Sequence, residues 1–224
     1  MPWLGRVQAV LEAWYPGQKG GEAIAEILSG DVDPSGRLPV TFPTGAKQLP
    51  HASLPGDPNG APLRPVGRGG HYGAKFVADY SEGAAVGYKW FAKINERPLF
   101  PFGFGLSYAS FSLSDLTVTV DGDAVTASAN VLNTGDRSGV AIPQLYSSNA
   151  NAPLRLIGWS RTELQPGETR RPTMSVDPRL LARFDESRRC WRIEQGTYDF
   201  TAGFDVDHRD QSATVQLEPT DLPP

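Results

Sequence analysis

The chain has 224 residues, with 21 Lys and Arg against 25 Asp and Glu, for a net charge of −4. Gly (24) and Pro (20) make up about a fifth of it, against a usual ~12%, and so many breakers exclude a helix bundle or a coiled coil. Charged residues at 21% and aromatics at 10% exclude a disordered chain, and a domain of this size can bury about 70% of its unfolded surface. The mild acidity speaks against nucleic acid or an anionic membrane as the partner, and no apolar run reaches the ~20 residues of a bilayer span. Cys190 is the only cysteine, so no internal disulfide forms and a cysteine-based metal site is not indicated. The first residues, Met1-Pro2-Trp3-Leu4, show no signal peptide, which leaves the localisation unknown.

Val7 to Trp14 reads as a buried strand or the end of a helix, and eight residues do not separate the two. Tyr15-Pro16-Gly17 forces a turn. Ala23, Ile24, Ile27 and Leu28 then fall at helical spacing, with Gly30 as a C-terminal stop. After the Asp31–Gly36 turn, Leu38 to Phe42 reads as a short strand. Residues 1–43 therefore form part of an α/β unit that cannot cover both faces of its own strands, and it demands more protein.

Residues 44–109 form a loop and connector. Thr44 to Asp79 is rich in Gly and Pro, and a span of that kind is functional or a linker. The aromatic run Tyr80, Tyr88, Trp90, Phe91, Phe100, Phe102, Phe104 and Tyr108, interrupted by Pro98, Pro101, Gly103 and Gly105, suits an extended connector more than a regular element. Residues 110–220 read as an all-β domain. Alternation runs through Val125, Ala127, Ala129 and Val131, through Tyr198, Phe200, Ala202 and Phe204, and through Ala213, Val215 and Leu217. Further strands are expected at Leu113–Val120, Val140–Tyr146, Leu156–Leu164 and Thr169–Val176, with a short helical insert at Pro178–Phe184. About seven strands in about 105 residues is the count of an immunoglobulin-like sandwich. The fold class is thus mainly β: a fibronectin type III or immunoglobulin-like sandwich preceded by a partial α/β segment and a long loop.

Motifs for chemistry are sparse. Gly103-Phe104-Gly105 is half of a dinucleotide fingerprint and lacks the third Gly at Tyr108. Asp31, Asp33, Ser35 and Gly36 match the first half of a calcium loop. Its twelfth position is Phe42, so a turn with Asp side chains capping backbone donors is the simpler reading. His51, His71 and His208 have no partners at ligand spacing. Asp205, Asp207 and Asp210 read as a solvated hairpin tip, and Trp159 and Trp191 as sandwich core rather than sugar-stacking platforms. No residue is nominated as catalytic, cofactor-binding or metal-binding, and no cofactor is expected.

Several stretches in order do carry a resemblance. Ala13-Trp14-Tyr15-Pro16-Gly17-Gln18 with Gly20–Ala25, then Gly30–Pro43, resemble segments of the family 3 glycoside hydrolases, the β-glucosidase family, with Asp33 where Asn is more usual. Tyr80-Ser81-Glu82-Gly83 with Val86–Lys89, and Pro98–Tyr108, are similar to two further signatures of that family. Asn133-Thr134-Gly135, Pro143–Tyr146, Pro166-Gly167-Glu168 and Trp191 to Tyr198 resemble its fibronectin type III-like domain.

The resemblance implies a parent with an N-terminal (β/α)8 barrel, an α/β sandwich and the fibronectin-like domain. Such a parent releases terminal β-linked sugars with retention, using two carboxyl groups about 5–5.5 Å apart. It places the Asp nucleophile in the barrel and the Glu acid/base in the sandwich, both upstream of residue 1, so the chain alone is expected to be inactive. Glu82 is the one motif carboxylate placed near the cleft, and its residues favour holding the Tyr80–Gly83 turn. The expected partners are the barrel and the rest of the α/β sandwich, in cis or in trans, and carbohydrate in the parent. The alternatives are an accessory half complementing a separate barrel subunit, or a carbohydrate- or protein-binding sandwich. Parents of the family are often periplasmic or secreted.

Overall fold

The structure, a computed structural model, describes residues 1–51, 80–122 and 124–223. The Val7–Trp14 segment forms neither the strand nor the helix end expected of it. A strand exists only when a neighbour accepts its hydrogen bonds, and none of the described residues supplies one. The helix does form, as α1 (Gly20–Ser29), and stops where expected. Gly30 takes the left-handed conformation (φ 83°) and Asp31 N–H returns to Glu26 O at 3.0 Å. At its start Gly20 lies against the Pro16 ring, where a Cβ would come within 2.6 Å of Cγ. The helix covers little: Ile24 and Ile27 are half-buried, and Ala23 and Leu28 are exposed.

The expected strand at Leu38–Phe42 contracts to isolated rungs. Leu38 N–H donates to Phe104 O (2.8 Å), and Phe42 N–H to Phe100 O (2.9 Å), the latter pair forming a single antiparallel bridge. Pro39 and Pro101 lie between these rungs and have no N–H to give, so no ladder forms. The aromatic run is not wholly extended either: Tyr88–Ile94 is a helix, α2, closed by Asn95 in the left-handed region (φ 53°). Its breakers begin only at Pro98, and the sandwich gives Tyr88 and Phe91 a surface to cover. The Tyr88 ring is 4.7 Å from that of Phe102 and 6.2 Å from that of Tyr146.

The expected sandwich strands form, two of the spans cut where a proline removes a donor, and three further short strands toward the C-terminus join them. β1 (Phe111–Asp121) and β2 (Ala124–Asn133) form an antiparallel hairpin. The span Val140–Tyr146 divides at Pro143 into β3 (Gly139–Ala141) and β4 (Gln144–Asn149). Leu156–Leu164 becomes β5 (Ala152–Trp159) and β6 (Thr162–Leu164). Pro172 splits Thr169–Val176 into β7 (Thr169–Arg170) and β8 (Thr173–Val176), both paired to β2. The helical insert is one 3-10 turn, Pro178–Leu180, capped by Asp177. Beyond it come β9 (Arg183–Asp185), β10 (Cys190–Ile193), β11 (Gly196–Gly203), β12 (Gln211–Leu217) and β13 (Thr220–Leu222). One sheet is built on β1, β2, β7 and β8, and the facing sheet runs β12-β11-β4-β5. The alternating residues Val125, Ala127, Tyr198, Phe200 and Ala202 meet between them with Leu145, Ile157 and Met174.

Several side chains fix the described part of the first 109 residues to this sandwich, Asp33 and Gln144 with three hydrogen bonds each. Asp33 accepts from Ser107 Oγ and Tyr108 N–H through Oδ1 (both 2.7 Å) and from Val140 N–H through Oδ2 (3.1 Å). Gln144, 3% exposed, donates from Nε2 to Gly103 O (3.0 Å) and Phe204 O (2.7 Å) and accepts from Tyr146 Oη (2.6 Å). Gly103 has φ 82°, and a Cβ there would collide with the Gln144 amide. The loop after β11 closes over the same junction, Val206 N–H donating to Phe102 O (3.1 Å). Asp205 in that loop is buried, which corrects the solvated hairpin tip. Its Oδ1 takes the N–H groups of Asp207 and His208 (both 2.8 Å), and these local donors turn the carboxylate inward.

Replacing Gln144 by Ala leaves two carbonyls and a buried hydroxyl without their partner. At about 1–3 kcal/mol for each buried orphan that water cannot reach, we expect a loss of roughly 3 kcal/mol in urea unfolding; a loss below ~1 kcal/mol would show that water substitutes for the amide. His208 Nδ1 lies 2.9 Å from Asp205 Oδ2, and that hydrogen bond, then the Asp205 charge, raises the imidazole pKa. The contribution is therefore complete below the unfolded value of about 6.5 and fades as pH rises through the higher folded value. Between pH 6 and 8 the unfolding midpoint should fall in the wild type, and His208→Gln should flatten that part of the profile.

Candidate functional site

Glu82 and His51 bracket residues 52–79 and meet at 2.9 Å, Oε2 to Nε2. The Glu82 side chain is only 6% exposed. A hydrogen bond from its own backbone amide holds its pKa below the usual carboxylate value, against the opposing effect of burial and with help from His51 and Lys93. Around it, Gly83 N–H donates to Tyr80 O (2.9 Å), and Ala85 N–H to Glu82 O (3.2 Å). Trp90 Nε1 reaches Gln48 O (2.8 Å), while the Gln48 side chain donates to Arg97 O (3.0 Å) and Glu96 Oε2 (3.1 Å). The pair ties the segment before residues 52–79 to the segment after them.

The other sequence candidates are dispersed. Asp31 accepts from Ser29 Oγ (2.6 Å), and both oxygens of Asp33 are committed to the junction, so the half calcium motif spends its lone pairs on the protein. Gly103 and Gly105 sit where Gln144, the Gly36 carbonyl and Arg37 approach the backbone, which is packing rather than a phosphate cradle. His208 is bound to Asp205, and His71 lies outside the described residues. Cys190 is half-buried at the start of β10.

Trp191 packs against the core, edge-on to Phe184 at 5.4 Å between ring centroids. Trp159 does not: it is 64% exposed, a correction to the core position expected of it. Leu145 pairs with Gly158 and Tyr146 with Leu156, which leaves Ile157 as the extra residue of a β-bulge. The bulge resets the alternation, and Trp159 stands opposite Gln144 on the outer face of the sheet.

Residue motifs do not describe the exposed apolar side chains near the start of the chain. Val7, Val10, Leu11, Trp14, Tyr15 and Leu28 are all exposed, Tyr15 almost completely (99%). Behind them an aromatic row runs inward. Trp14 and Phe42 are 6.4 Å apart by ring centroid, Phe42 and Phe100 6.3 Å, and Phe100 and Phe104 5.5 Å. The sequence signal for these side chains was the α/β unit too small to bury its own strands. What the arrangement offers chemically is an apolar surface and a structural carboxylate–imidazole pair.

Residues 1–108 match the model of the glycosyl hydrolase family 3 C-terminal domain, and residues 141–206 that of the fibronectin type III-like domain. The chain is 35% identical over 228 residues to β-glucosidase B of Emericella nidulans, a match covering 97% of this chain and 26% of that protein. It is 39% identical over 209 residues to a β-glucosidase of Rhizobium radiobacter, over 89% of this chain and 24% of that one. A β-glucosidase from Streptomyces venezuelae, solved in complex with D-glucose, shares its fold with a TM-score of 0.81 at 36% identity, over 97% of this chain and 27% of that one. For β-glucosidase 3B from Thermotoga neapolitana in complex with glucose the TM-score is 0.82 at 29% identity, over 100% and 30%. The chain thus spans about a quarter of the length of these curated relatives. With both models matched in order, and the similarity running through nearly all of it, this chain belongs to the family 3 glycoside hydrolases and carries that family's C-terminal domain followed by a fibronectin type III-like domain.

Proposed function

We propose that the chain acts as the C-terminal portion of a β-glucosidase-like hydrolase that releases terminal β-linked sugars with retention. In this reading it contributes no catalytic residue of its own. The nucleophilic Asp and the acid/base Glu come from a barrel and the remaining α/β sandwich, in cis or in trans, and the sugar binds there. The observation that carries it is the similarity to β-glucosidases along nearly the full chain while only about a quarter of their length is spanned. The structure adds that Glu82, the one motif carboxylate of the connector, is paired to His51 and held ionised. Within this reading residues 1–43 complete an α/β sandwich, 44–109 connect, and 110–220 form the fibronectin-like domain.

Without a carboxylate pair the covalent route is closed, and acid/base assistance worth 10²–10⁴-fold is missing. The purified chain should therefore leave p-nitrophenyl β-D-glucoside unhydrolysed. A chimera in which it replaces the matched quarter of the Rhizobium radiobacter enzyme should hydrolyse that substrate. Turnover by the chain alone, or a folded but silent chimera, would overturn the proposal. Within the active chimera, Glu82→Gln should lower kcat by less than tenfold. A loss of a hundredfold or more, removed along with one limb of the pH profile, would make Glu82 an acid/base group after all.

A further inference from the structure

Between Val120 and Phe184, Trp159 is the only large apolar side chain exposed among the described residues. Its setting is a single antiparallel ladder that runs past Pro143. Gly139, Val140 and Ala141 pair with Leu164, Glu163 and Thr162, Ser160 N–H donates to Pro143 O (3.1 Å), and Gln144 and Leu145 pair with Trp159 and Gly158. Alternation along this ladder turns Thr162 and Leu164 inward, both buried, and Trp159, Arg161 and Glu163 outward, all exposed. Neighbours in that outer row are about 6.6 Å apart along the strand. The bulge sets the row: without its extra residue Trp159 would alternate with Ile157 onto the core face. Among the described residues no hydrogen bond or ion pair engages the Trp159 Nε1–H, the Arg161 guanidinium or the Glu163 carboxylate. One strand away the connector stands against the same sheet face, Gly103 O on the Gln144 amide (3.0 Å), and walls one side of the indole.

We infer that Trp159, Arg161 and Glu163 form a carbohydrate-binding site on the sandwich, taking a β-linked gluco-oligosaccharide with one pyranose stacked on the indole. The chemistry of the three side chains selects this ligand class. A pyranose presents C–H groups on its ring face and a rim of hydroxyls that both donate and accept. The indole offers a flat π-face and one donor, the guanidinium a planar fork of donors, and the carboxylate only acceptors. The next sugar unit then lies over Arg161 and Glu163, whose free groups meet its hydroxyls. A protein partner fits less well, because the core of such an interface gathers apolar side chains and excludes charge, whereas here a lone aromatic has a cation and an anion beside it. Phosphate-bearing ligands meet the Glu163 charge. The choice of a β-linked glucan rests on the function proposed above, while the site itself rests on the ladder and its free side chains.

Titration of the isotope-labelled 224-residue chain with cellotetraose, followed by NMR, tests this. The Trp159 indole N–H signal is assigned by its loss in Trp159→Ala. That signal and the amides of residues 158–163 should shift and saturate with a Kd on the order of 1 mM, as suits a shallow site with few contacts. Trp159→Ala should weaken binding about tenfold or more and leave the amide signals of β2 and β11 in place, while Trp159→Phe keeps most of the affinity. Arg161→Ala and Glu163→Gln should each weaken it by about two- to fivefold. Shifts that survive Trp159→Ala, or an indole signal unmoved by the sugar, overturn the site. Indole shifts that follow protein concentration instead of sugar assign the surface to a second copy and also overturn it. Equal binding of maltotetraose upholds the site and overturns the choice of a β-linkage. The chimera assay separates this from the function: an active chimera without sugar binding at Trp159 removes the site alone, and binding with a folded, silent chimera removes the function alone.

Discussion

The amide of Gln144 is the point on which the architecture turns. It is buried at the start of β4, and it satisfies one carbonyl from the connector, one from the loop after β11 and the hydroxyl of Tyr146. A buried polar group is tolerated only when its partners are in place. The connector must therefore approach at a residue without a side chain, and Gly103 in its left-handed conformation is that residue. Asp33 repeats the arrangement from the other side, taking donors from the connector and from β3 with one carboxylate. Together they make the stretch from Gly103 to Tyr108 an extension of the sandwich rather than a free linker.

Much of this was legible in the residues. The alternation of Val125, Ala127, Ala129 and Val131 names the buried face of β2, and all four are buried. Gly30 marks the end of α1 because only a residue tolerant of positive φ closes a helix in that way. What escaped depends on partners or on register. A seven-residue helix such as α2 is too short for propensity to decide and forms because Tyr88 and Phe91 have the sandwich to pack on. Trp159 looks like a core residue until a bulge at Ile157 turns it outward. Asp205 looks like a surface charge until its own loop supplies three donors. The Val7–Trp14 segment has the composition of a strand but no neighbour among the described residues, and composition carries no information about pairing.

The site was legible chiefly as an absence of spacing. Twenty-five carboxylates nominate no pair, and the one motif carboxylate, Glu82, is committed to an imidazole and a backbone amide. Motif resemblance supplied what periodicity did not, because periodicity reports only which face of an element is buried.

A division of labour follows from these contacts. An aromatic row joins the first segment to the connector, from Trp14 through Phe42 and Phe100 to Phe104, whose neighbour Gly103 is held by Gln144. Packing of this kind is stiff, since interiors are as dense as organic crystals and leave little room to deform. Trp14 therefore stands at one end of a row whose other end is set against the sandwich. The fibronectin-like domain contributes by position: through Gln144 and through the Val140 amide bound to Asp33 it fixes where the preceding residues lie. Loss of the Gln144 amide would then loosen that placement, by the same physics that makes its removal costly to the stability of the chain.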